Sequence, residues 1–131
     1  MREGEKSFVW NQLPAIGWAL LIFAGSSVPA SSLPDSAIWR WDKLIHFTIY
    51  AVFTFLVHRA FAHQTRVMLL ARRAALTTLF AVVAFGFSDE FHQYFVPGRT
   101  ASIFDVAADA AGAIAVILVI LWLGRAQRSA D

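Results

Sequence analysis

Four stretches of the chain, residues 8–28, 43–61, 74–94 and 102–123, are each apolar over close to the roughly 20 residues that an α-helix needs to cross a hydrocarbon core of about 30 Å. Short connections join them, so the simplest packing is an all-α, integral membrane, four-helix antiparallel bundle forming one domain over residues 1–131. The first helix begins at Phe8 or Leu13 and ends at Val28. Pro29 and Pro34, with Ser26, Ser27, Ser31 and Ser32, mark the loop after it, and Pro97-Gly98 punctuates the third loop. The third segment is apolar without a break only from Ala74 to Phe87, and its continuation to Tyr94 rests on length. A hydrophobic content of 58% and a mean hydropathy of +0.57 agree with a membrane protein. The chain has no cysteine, which excludes disulfides and thiolate chemistry.

The start also has the outline of a secretory signal peptide: Arg2 and Lys6, an apolar run from Leu13 to Ala24, and the small-residue site Val28-Pro29-Ala30. Trp10 and Trp18 are unusual in such a peptide, and its removal would leave an odd three-helix remainder. A retained first helix is expected.

A pI near 9.5 would suggest nucleic acid in a soluble protein, but the net charge is only +2 and the basic residues flank apolar segments. They read as topology signals, and no nucleic-acid partner is expected. Arg2, Lys6, Arg59, Arg66, Arg72, Arg73, Arg125 and Arg128 fall on one side of the bundle; Arg40, Lys43 and Arg99 fall on the other. The richer side is expected to be cytoplasmic. The chain is then a multi-pass protein of the cell membrane with both termini inside, and the loops around 29–42 and 95–101 outside. Aromatic residues agree, with Trp10 and Trp122 at the inner boundary and Trp39, Trp41, Tyr94 and Phe95 at the outer one.

Against this apolar background stands a set of polar residues in the outer third of the bundle. A carboxylate at membrane depth is costly, so such residues usually face a protein interior or a water-filled cavity and mark a functional site. Asp42, His46 and Tyr50 follow at intervals of four and share a helix face, as do Asp89 and Gln93, and Glu90 and Gln93 at three. Ser102, Asp105, Asp109 and Gly112 make a third stripe, ending in a residue small enough for close helix contact. Three stripes at one depth predict one pocket, with Asp42, His46, Tyr50, Asp89, Glu90, Gln93, Arg99, Ser102, Asp105 and Asp109 as ligand-binding residues. His58 and His63 read as solvated, and His92 points away from the Asp89 stripe.

These words occur in a characteristic order: Ser-x-x-Pro at Ser26 to Pro29, Asp-Lys-x-x-His-Phe-x-x-Tyr at Asp42 to Tyr50, and Asp-Glu-x-x-Gln-x-Phe-x-Pro-Gly-Arg-x-x-Ser-x-x-Asp at Asp89 to Asp105. With a Gly seven residues on, the chain resembles the VanZ-like family of small membrane proteins from about Pro14 to Leu123. The resemblance implies a four-helix bundle and, through the founding member, an association with low-level resistance to the lipoglycopeptide-type antibiotic teicoplanin. It implies no assigned catalytic residues. Asp109 departs from the family pattern, which more often has Asn there, and Val116 stands where a second Gly is common.

Each polar residue also has a structural reading. Asp42 fits a helix N-cap, and Ser102 or Thr100 fits the cap of the last helix, with Asp105 favoured near its positive end. Arg99 is expected to pair with Glu90, Asp89 or Asp105, although its fork would equally bind a phosphate. Asp42, Asp89, Glu90, Asp105 and Asp109 outnumber Lys43 and Arg99, so some carboxylates should be protonated, hydrated or holding a cation. Asp, Glu and His suit Mg, Mn or Zn, so a divalent metal fits, but no HExxH-type signature is present and no cofactor is assured.

Three functions fit this pattern. The first is recognition of an envelope amphiphile, an isoprenoid-linked precursor or a lipoglycopeptide antibiotic, with Phe53, Phe55, Phe85 and Phe87 along the path of its tail. The second is a hydrolase or transferase acting on a lipid phosphate or ester, with Glu90 or Asp89 as general base, His46 as proton shuttle and Arg99 stabilising negative charge. The third, an ion-coupled transporter, is disfavoured because the inner halves of the helices carry no carboxylate.

Overall fold

The computed structural model describes residues 3–33 and 41–129, with side chains from Val9 onward. The expectations attached to Arg2, Lys6, Pro34, Trp39 and Arg40 lie outside the described side chains. The described chain forms α1 (Glu3–Ser26), a 3₁₀ turn (Ala30–Ser32), α2 (Asp42–Ala62), α3 (Met68–Arg72), α4 (Ala74–Gln93) and α5 (Ile103–Arg128), with no strand among the described residues. The all-α expectation holds. In hydrocarbon every backbone N–H and C=O needs a partner within the protein, and a helix supplies these locally.

Three of these helices, α2, α4 and α5, with 21, 20 and 26 residues, are long and apolar enough to cross a membrane. The fourth long helix, α1, does not reach that measure over its described residues. Its 24 residues include Glu3, Glu5 and Lys6, and Asn11 and Gln12 interrupt the apolar run. The short α3 lies in what the sequence suggests is a plain loop.

The polar residues of α1 bind it to α2. Gln12 Nε2 donates to the Ala60 carbonyl at 2.7 Å, Trp18 Nε1 donates to the Ile49 carbonyl at 3.1 Å, and Arg59 Nε donates to Asn11 Oδ1 at 3.1 Å. These pairs show that α1 and α2 run antiparallel. The end of α1 meets the end of α4 and the start of α2 meets the start of α5, so one end of the bundle gathers all the polar stripes.

Helix α2 is central, packing against α1, α4 and α5. The core holds Ala15, Tyr50, Phe53, Val57, Val82 and Ala113, with Phe53 and Phe85 in ring contact at 5.0 Å. Lipid tails are as apolar as a leucine, so association of such helices depends on close packing. Gly112 provides it: a Cβ there would overlap the carbonyl oxygen of Phe47 on α2. The outer faces carry Leu20, Phe80, Leu118 and Trp122, all exposed, as a lipid-facing surface requires.

Candidate functional site

The polar end is held in shape by its loop. Gly98 adopts φ +74°, a conformation that favours glycine, and the Ala30 N–H donates to the Pro97 carbonyl at 3.2 Å. This joins the chain after α1 to the turn before α5. Ser102 then caps α5, its Oγ accepting from the Phe104 N–H at 3.2 Å.

The interior carboxylates are each engaged. Asp89 Oδ1 accepts the Ser26 hydroxyl at 2.6 Å, and Asp89 Oδ2 accepts the Gln93 amide at 3.3 Å. Glu90 Oε2 accepts the Ser102 backbone N–H at 2.8 Å, while its other oxygen faces Gln93 Nε2 at 3.5 Å. Gln93 thus bridges the two carboxylates from one helical turn further along α4. Asp105 and Asp42 share the Lys43 ammonium, and Asp109 Oδ1 lies 3.0 Å from His46 Nδ1. Asp109 is only 2% exposed, seated where Gly86 leaves room: a Cβ at 86 would lie 3.2 Å from Asp109 Oδ2.

Several expectations need correcting. Asp42 is the first residue of α2 rather than its cap; Trp41 holds the cap position and makes no side-chain cap bond. The Asp42 carboxylate turns to Lys43 instead. Arg99 pairs with no carboxylate among the described residues. Its Nη2 donates to the Gly25 carbonyl at 3.1 Å, and Lys43 takes the place expected for it on Asp105. Ser26 and Lys43, outside the expected ligand set, are integral to the network. The only advance sign of Ser26 is its place in the Ser-x-x-Pro word; Lys43 is visible merely as a nearby charge. His92 does point elsewhere, stacking on Phe23 at 4.4 Å and meeting Ser27 Oγ at 2.9 Å.

Two adjoining cavities open on this network. One, of about 230 Å³, runs between α1 and α2 and is lined by Leu21, Ile22, Ile45 and Ile49, with Tyr50, Asp89 and Gln93 at its polar wall. The other, of about 370 Å³, lies under the loops and is lined by Asp42, His46, Gln93, Thr100 and Asp105. Leu33, Asp42, His46, Gln93 and Arg99 line both, which makes one two-lobed space, apolar at one end and polar at the other. The phenylalanines expected along an acyl path do not line it. Phe53 is buried in the core with Phe85 against it, and Phe55 and Phe87 face outward. Among the expected residues, Glu90 and Ser102 border a separate groove between α4 and α5 with Phe87 and Tyr94, and Asp109 backs His46 rather than lining either lobe.

Asp42, His46 and Asp105 each offer a ligand atom, all within 4.8 Å of one another, the spacing a divalent cation needs. The Lys43 ammonium bonded to both carboxylates already provides the counter-charge there.

A bundle of apolar helices with a buried, hydrogen-bonded acidic network at one end defines a small polytopic α-helical membrane protein. The sequence profile of the VanZ/LLP1 family matches residues 6–124, and the chain belongs to that family. No curated protein and no solved structure matches it.

Proposed function

We propose that this protein binds an amphiphile of the cell envelope, a lipid-linked precursor or a lipoglycopeptide antibiotic of the teicoplanin type, and that binding underlies a resistance-like, protective role. The observation that carries this reading is the two-lobed space. Its apolar lobe fits an alkyl or isoprenoid segment, and the adjoining lobe offers carboxylate, imidazole, amide and guanidinium groups to a polar head. The site faces the extracytoplasmic side, with both termini in the cytoplasm. Support comes from the basic residues: Arg59, Arg66, Arg72, Arg73, Arg125 and Arg128 all belong to the end of the bundle opposite the site.

The test uses purified protein in detergent. Teicoplanin or an isoprenoid-linked precursor is expected to raise the melting temperature without releasing product, and Ile49→Trp, which fills the apolar lobe, is expected to abolish the shift. No shift with either ligand would overturn the reading.

A second reading, hydrolysis of a lipid phosphate or ester, draws support from the His46–Asp109 pair. A buried carboxylate that holds Nδ1 orients the imidazole, so Nε2 becomes the atom available for proton transfer at the cavity. The oxygens of Asp89 and Glu90 already accept hydrogen bonds from Ser26, Gln93 and the Ser102 N–H, and Glu90 lines neither lobe. On this reading His46→Gln abolishes turnover of a lipid ester while Glu90→Gln does not; absence of turnover in the native protein would exclude it.

A further inference from the structure

We infer that the amphiphile carries an anionic group, a phosphate or carboxylate, beside its chain, and that Arg99 receives it with Tyr50 donating to a deeper acceptor. This rests on the amphiphile-binding reading above and specifies the chemistry of the head.

The argument begins with unmet donors. Among the described residues three buried side-chain polar atoms lack a hydrogen-bond partner: Tyr50 OH, Thr78 Oγ1 and Arg99 Nε. Two of these three belong to residues lining the same lobe, the one between α1 and α2. A buried donor without an acceptor is a standing cost, and an occupant of the lobe these two residues line would relieve it by bringing acceptors. Tyr50 is 1% exposed, so bulk solvent does not serve its hydroxyl.

The hydrogen bonding around the lobes points the same way. The carboxylates nearest the polar lobe are already served: Asp105 and Asp42 by Lys43, Asp109 by His46, and Asp89 by Ser26 and Gln93. Arg99, which lines both lobes, donates through Nη2 to a neutral acceptor, the Gly25 carbonyl. A guanidinium presents donors in a planar fork that matches phosphate or carboxylate oxygens in pairs. Because Arg99 lines both lobes, an anion seated there lies at the junction of tail and head. That is where an alkyl phosphate carries its charge.

The experiment uses full-length protein in dodecyl maltoside, titrated with dodecyl phosphate, with dodecanol, and with inorganic phosphate, with retention read by native mass spectrometry and by melting temperature. Dodecyl phosphate is expected to bind with an affinity at least tenfold above dodecanol. Arg99→Gln is expected to weaken it about tenfold, and Tyr50→Phe several-fold. Arg99→Lys keeps the charge and loses the fork, so it provides an intermediate loss should Arg99→Gln fail to fold. Equal binding of dodecyl phosphate and dodecanol, unaffected by Arg99→Lys, overturns the anionic head and leaves the amphiphile reading standing. Binding of neither chain-bearing probe overturns both. Inorganic phosphate binding as tightly as dodecyl phosphate overturns the lipid source in favour of a free anion.

Discussion

His46 Nδ1 and Asp109 Oδ1 lie 3.0 Å apart although 63 residues separate them, and this contact joins α2 to α5 at the wall of the cavity. Asp109 is buried, so any change that removes its acceptor strands the imidazole. Asp109→Leu is expected to destabilise the protein by about 1–3 kcal/mol, the cost of a buried donor left unpaired. Asp109→Asn retains a carbonyl acceptor and is expected to cost under about 1 kcal/mol. Unfolding midpoints of the two variants in the same detergent separate these outcomes.

Lys43 presents a different balance, since its side chain is 52% exposed while that of Asp105, its partner, is 8% exposed. Exposed ion pairs contribute about 1 kcal/mol or less, whereas leaving a buried charge unpaired costs about 3–5 kcal/mol. Lys43→Met is expected to fall between these, at about 2 kcal/mol, because Asp105 loses its counter-charge. The double variant Lys43→Met, Asp105→Asn is expected to recover most of the loss. A double-mutant cycle on thermal unfolding measures the recovery, and strict additivity would contradict the pairing.

Helix contact can be tested at Gly112. A methyl group there overlaps the Phe47 carbonyl, a backbone atom that cannot rotate away. Gly112→Ala is therefore expected to push α5 off α2 and destabilise the bundle by about 1–3 kcal/mol or more. Gly17, where a Cβ meets nothing within 4 Å, is the control. Gly17→Ala is expected to be neutral or slightly stabilising in the same unfolding assay.

Contacts within a helix are legible in the sequence, and contacts across the bundle are not. Asp89 and Gln93 touch because residues four apart share a face, and Gly112 follows Asp109 onto the buried side of α5. By contrast, nothing in the residues near Arg99 shows that the turn at Pro97-Gly98 carries its guanidinium to Gly25, 74 positions earlier, leaving Asp105 to Lys43. Nor does periodicity show that Ser26 closes on Asp89 across 63 residues. Nor does the sequence of α1 show that Asn11 and Gln12, polar residues within its apolar run, serve as ties to α2.

The orientation of the bundle is open to a direct measurement, because the chain has no cysteine and any introduced thiol is unique. Thr65 lies in the connection after α2, at the arginine-rich end, and Thr100 lies in the loop beside the cavity; both are exposed. In hydrocarbon-spanning helices the end with more Lys and Arg stays in the cytoplasm. A membrane-impermeant maleimide added to intact cells is expected to label Thr100→Cys and to spare Thr65→Cys until the membrane is permeabilised. The reverse pattern would place the acidic network on the cytoplasmic side, out of reach of an extracellular antibiotic. A lipid ligand drawn from the inner leaflet would then be the remaining form of the binding reading.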